Sequence, residues 1–153
     1  MKYEGCHLVH FNFAIAKEPL DHPAMTGFTS QLDSINRAAA ASHGFVWTPA
    51  EGEAGDALAT FGNPRVLANM SIWRSLEDLR RFTYDGQHGG ALRHRREWFE
   101  APKGPAYVLW WAPAGHRPNW DEAKQRLDYL AARGPTPEAF TFSRVFNPPD
   151  EAI

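Results

Sequence analysis

Cys6-His7-Leu8-Val9-His10-Phe11-Asn12-Phe13-Ala14-Ile15-Ala16 decides the architecture. Read with the two-residue period of a strand, Val9, Phe11, Phe13 and Ile15 share one face, and Leu8, His10, Asn12 and Ala14 share the other. The first face is large and apolar; the second is smaller and carries polar groups. Val66 to Trp73 repeats the arrangement, with Val66, Ala68, Met70 and Ile72 on one side and Leu67, Asn69, Ser71 and Trp73 on the other. Strands with bulky side chains on both faces need a cover on both faces.

Working outward, Asp21 and Pro23 read as a cap and first-turn proline for a helix carrying Met25, Phe28, Leu32, Ile35 and Ala39. Gly44 lies beyond its end, and Phe45 to Thr48 reads as a second strand. Glu51 to Asp56 is a loop, and Ala57 to Phe61 reads as a short strand before the Asn63-Pro64 turn. Ser75 and Asp78 have capping-box spacing and open a helix with Leu76, Leu79 and Phe82. After Asp85-Gly86 a further helix is expected from His88 to Glu100. Tyr107 to Ala112 is a nearly continuous apolar strand, and Asn119 with Glu122 caps a helix that ends at Gly134-Pro135. Phe140 to Phe146 would add an edge strand.

The order β-α-β-β-α-β followed by a helix is the ferredoxin-like split pattern. The expectation is a single α+β domain over residues 1–153 with an antiparallel sheet. A lone sheet of this kind has helices on one face only, so a second copy is the simplest cover for the other. That gives a homodimeric α/β barrel joined through the Val9/Phe11/Phe13 and Met70/Ile72 faces.

The composition agrees with one globular domain: 153 residues, 43% hydrophobic and 22% charged. The net charge of −2, with both signs interspersed, disfavours a nucleic-acid partner. Cys6 is the single cysteine, so no disulfide forms within the chain and no multi-cysteine metal site is built. The first residues lack the apolar run of a signal peptide and no stretch has the length of a membrane span, so the expected location is cytoplasmic. Six Trp and an aromatic fraction of 13% favour a broad interface or an aromatic-lined cavity.

The segment His88 to Phe99 carries the sharpest pattern. At about 100° per residue, His88, Leu92, Arg95 and Phe99 fall on one helical stripe bordered by Trp98. An inward arginine needs an anion or several acceptors. Two readings stay open: a structural pair, with Arg95 on carbonyls or a carboxylate and His88 at the helix start, or a cavity in which Arg95 binds an anion and His88 moves a proton. In the second, His10 and Asn12 of the first strand and Asn69, Ser71 and Trp73 of the third supply polar groups, and Trp47 and Trp98 wall the pocket. His7 and His10 point to opposite strand faces and cannot share a metal there. No HExxH, GxSxG, P-loop or GxGxxG motif occurs.

Several stretches resemble the domain of unknown function numbered 3291: Leu8-Val9-His10-Phe11-Asn12, Gly44-Phe45-Val46-Trp47, Asn69-Met70-Ser71-Ile72-Trp73, Arg95-Arg96-Glu97-Trp98-Phe99, Leu109-Trp110-Trp111-Ala112-Pro113-Ala114-Gly115-His116 and Gly134-Pro135-Thr136-Pro137-Glu138-Ala139-Phe140-Thr141-Phe142. The resemblance implies the dimeric α/β-barrel superfamily, whose members include cofactor-free monooxygenases, haem enzymes and small isomerases. It implies a small-molecule cavity and does not fix the reaction. The expected function is a small-molecule-binding, monooxygenase-like oxidoreductase without cofactor, acting on an aromatic or polycyclic substrate. The alternatives are a haem enzyme with His88 as axial ligand, and a non-catalytic ligand-binding or stress-response module.

Overall fold

The computed structural model describes residues 5–84 and 95–149, the Arg95 side chain excepted. Four antiparallel strands form one sheet in the order β2-β3-β1-β4. They are β1 (Cys6–Ile15), β2 (Phe45–Trp47), β3 (Val66–Trp73) and β4 (Tyr107–Pro113). The helices are α1 (Thr26–Ala40), α2 (Ala57–Phe61), α3 (Leu76–Tyr84), α4 (Arg95–Trp98) and α5 (Trp120–Arg133). This sheet order is that of the split β-α-β arrangement, in which β1 and β3 lie at the centre.

Register carries the alternation of β1 across the sheet. Phe11 pairs with Met70 and Val108, and Val9 with Ile72 and Trp110, so the apolar face is continuous over three strands. On the other face Asn12 stands opposite both Asn69 and Tyr107, and His10 opposite Ser71 and Leu109. A one-residue slip would exchange the two sets, so burial of both faces fixes the pairing.

The Val9/Phe11 face is covered by the chain itself. Ala123, Leu127 and Leu130 of α5 join Val9, Phe11, Met70, Ile72, Val108 and Trp110 in one buried cluster, with Phe61 and Trp120 packed against it. Phe61 stacks on Phe11 and Phe13 at 5.7 and 6.1 Å between ring centroids. This corrects the expectation that a second copy covers that face. The amphipathic helix after β4 is long enough to lie across it, and an intrachain cover forgoes the entropy cost of association.

Three local expectations are also revised. Ala57–Phe61 is a helical turn rather than a strand: the Asp56 carboxylate accepts the Leu58 N–H at 3.0 Å, and Gly62 at φ 71° closes it. Good helix formers between a cap and a left-handed glycine outweigh a short apolar run that strand and helix share. The first long helix is preceded by a 3-10 turn, Pro23–Met25, whose cap is the His22 imidazole accepting from Ala24 N–H, not Asp21. Past α5, among the described residues only Phe140 pairs with the β4 edge, exchanging two backbone hydrogen bonds with Leu109 at 2.8 and 2.9 Å. The capping boxes hold: Asn119 Oδ1 accepts from Glu122 N–H at 2.8 Å, and Ser75 Oγ accepts from Asp78 N–H at 3.1 Å. Among the described residues no helix is long and apolar enough to cross a membrane.

Candidate functional site

The second sheet face divides into a closed half and an open half. Over the closed half, Leu8, Trp73, Leu109 and Trp111 are sealed by Leu79 of α3 and by Phe140, with Phe82 and Phe146 beside them. Over the open half, α1 stands off the sheet and leaves a cavity of about 510 Å³. Its floor is His10, Asn12 and Ala14 of β1 with Leu67 and Asn69 of β3. Its roof is Phe28, Leu32, Ile35 and Asn36 of α1. Phe99, Tyr107 and Phe142 close the sides, and Thr83 and Tyr84 border the α3 end.

The gap follows from the side chains. Asn12, Ala14 and Asn69 are short, so the α1 stripe of Phe28, Leu32 and Ile35 has nothing large to interlock with. Asn69 remains exposed although it lies in a central strand, because the cavity opens beside it. His10 is only 7% exposed and meets the Tyr107 ring edge-on, with ring centroids 5.9 Å apart. The Tyr107 hydroxyl accepts the Phe142 N–H at 3.0 Å, which fastens the C-terminal segment over the cavity. Burial pushes the Tyr107 phenol above its ordinary value of 10.0, so it is a neutral hydrogen-bonding group in the working range.

The sequence-expected residues therefore separate. His10, Asn12 and Asn69 come together on the cavity floor. Ser71 and Trp73 lie on the same face but under the closed half, where the Trp73 indole N–H donates to Ser71 Oγ at 2.8 Å and the ring stacks on Phe82. Neither lines the cavity, because α3 already occupies the space above them.

Trp47 does not wall the cavity either. An irregularity in β2 pairs Trp47 with Ile72, which puts it in the opposite cluster beneath the Arg117 guanidinium, 5.4 Å from the ring centroid. Trp98 is buried with Ala16 and Met25 behind the roof rather than inside it. Its ring lies 5.6 Å from that of Phe28, and a Cβ on Gly27 would come within 3.1 Å of it. It supports Phe28 from outside. His88 and the Arg95 side chain lie outside the described residues, and with them the haem alternative.

Sequence reasoning missed Tyr107, Asn36, Thr83 and Phe142 as lining groups. Tyr107 had a signal, since antiparallel pairing of β1 with β4 sets it opposite Asn12. Phe142 had none, because its place depends on the chain doubling back past α5. Among the described residues no group of three or more His, Cys, Asp or Glu is placed to hold a metal ion. The cavity has an apolar body and a few convergent polar groups, the make-up of a small-molecule site.

No curated protein matches the chain in sequence. Solved structures similar to it include a protein of unknown function from Nitrosomonas europaea, 10% identical with a TM-score of 0.47, covering 74% of this chain and 94% of that one. A Pseudomonas aeruginosa protein is 10% identical with a TM-score of 0.46, covering 76% and 98%. A mutant of SnoaB, a cofactor-independent oxygenase from Streptomyces nogalater, is 12% identical with a TM-score of 0.42, covering 74% and 96%. Likeness at this level bears on neither substrate nor reaction. The sequence itself is more specific: a family model matches residues 7–153, and the chain belongs to the family described as a domain of unknown function, DUF3291.

Proposed function

We propose that this protein binds a small, largely aromatic molecule between α1 and the sheet, and acts on it as a cofactor-free, monooxygenase-like oxidoreductase. The observation that carries the binding reading is the cavity of about 510 Å³, with Phe28, Leu32, Ile35 and Phe99 around it and His10, Asn12 and Asn69 on its floor. Flat apolar walls suit an aromatic ring system, and the floor amides suit its oxygen substituents.

The oxygenase arm rests on the chemistry of the floor. Oxygenation without a cofactor needs a substrate that becomes an electron-rich anion and itself reduces dioxygen. One oxygen atom then enters the substrate and the other leaves as water. In this reading His10 accepts the substrate proton, and the amide N–H groups of Asn12 and Asn69 stabilise the oxyanion that forms.

Native mass spectrometry of the freshly purified protein tests the binding reading. A co-purified aromatic ligand in the wild type, absent from a cavity-filling Leu32→Trp variant, supports it. A wild-type protein that is empty and takes up none of a set of bicyclic phenols contradicts it.

A further inference from the structure

Asn12 of β1 and Asn69 of β3 are register partners on the cavity floor, so their carboxamides project side by side from Cβ atoms about 5 Å apart. A polar side chain in a central strand ordinarily finds a partner within the protein. Neither carboxamide makes a hydrogen bond, to the other or to any further group, among the described residues. Neither is sealed. The buried side-chain atoms without a partner among the described residues are the Thr83 hydroxyl oxygen and the Trp110 indole nitrogen. Asn12 is half-buried and unpaired yet has no atom among them, so its amide is open to water, and Asn69 is exposed. Strands flank β1 on both edges and the Phe11 side is core, which leaves the cavity as the way to the Asn12 amide.

Each carboxamide presents N–H donors and a carbonyl acceptor. A ligand that brings an oxygen acceptor alone uses the donors and leaves the two asparagine oxygens unmatched. A ligand with a donor beside its oxygen uses both kinds of group. An open-chain amide is trans, with N–H and C=O on opposite sides, whereas a small ring forces the cis form and puts both on one edge. An ortho-hydroxy ketone closes the same two groups on each other. The aromatic walls, Phe28 and Phe99, suit a flat ring fused to that edge.

We infer that the Asn12/Asn69 pair recognises a cyclic amide fused to an aromatic ring: one carboxamide N–H donates to the lactam carbonyl oxygen, and the other carboxamide's oxygen accepts the lactam N–H. This deepens the reading of the cavity as a small-molecule site and rests on it.

The test compares 2-quinolone with coumarin, which has the same shape and carbonyl but a ring oxygen in place of the lactam N–H, by isothermal titration calorimetry. Wild type should bind 2-quinolone about tenfold more tightly, the worth of one hydrogen bond. Asn12→Leu and Asn69→Leu should divide the effect, one erasing the preference and the other weakening both probes alike. Both positions are open to water, so these variants should melt within a few degrees of wild type; the wild-type comparison decides the point even without them. A preference that survives undiminished affinity in both leucine variants overturns the assignment to this pair. Wild type that takes up 2-naphthol but holds 2-quinolone no better than coumarin overturns this inference and leaves the cavity reading standing. Wild type that binds none of the three overturns both.

Discussion

Asn12 and Asn69 face each other across the two central strands, a position where most sheets place apolar side chains. Their amides have room there because the helix above does not press down on them. This much was legible in the sequence, since strand alternation assigns His10, Asn12 and Asn69 to one face without any tertiary information. Thr83 was not legible, because nothing in a helical pattern tells which hydroxyl will lack a partner. His7, one residue from that polar face, points the other way and is coupled to stability. Burial first, and Arg74 second, lower its pKa from the ordinary 6.5. The unfolded chain therefore takes up a proton more readily than the folded one. The stability His7 contributes is present above pH 6.5 and is lost as the pH falls through the depressed native value. Urea unfolding at neutral and mildly acidic pH should show this acid loss in the wild type and a shallower one in His7→Gln. Equal slopes in both proteins would assign the acid loss to other groups.

At the scale of elements, capping and alternation announce themselves, whereas irregularities do not. The helix start at Asn119 was readable because an asparagine three residues before a glutamate is a local signal, realised as the 2.8 Å bond to Glu122 N–H. Asn119→Ala should cost about 1 kcal/mol in chemical denaturation. Because α5 covers the Val9/Phe11 face, that loss should appear in the global unfolding transition and not as local fraying. The shift of register in β2 that turns Trp47 away from the cavity had no such signal. Nor did the return of the chain past α5, where Phe140 pairs with Leu109, Phe142 is held by Tyr107, and the Phe146 carbonyl accepts the Trp111 indole N–H at 2.8 Å. These are long-range arrangements, decided by which surface the tail meets.

For the whole molecule, the sequence argued correctly that both sheet faces need covering and misplaced the source of one cover. With α2 and α5 of the same chain over Val9, Phe11 and Trp110, a homodimer would pair other surfaces. Backbone amides of the central strands on that side should therefore exchange with solvent equally slowly in dilute and concentrated protein. Protection that rises with concentration would show that the face is completed by a second copy. Phe11 sits at the centre of this core, fully buried, and Phe11→Ala should cost about 3–5 kcal/mol in either case.

Binding of a small aromatic molecule between α1 and the sheet, as proposed, is read out residue by residue in a nuclear magnetic resonance titration with 2-naphthol. Saturable shifts are expected in the side-chain amide signals of Asn12 and Asn69 and in the methyl signals of Leu32 and Ile35, with the signals of Leu127 and Leu130 under α5 unmoved. Shifts confined to the α5 side, or none at a saturating concentration, would contradict it.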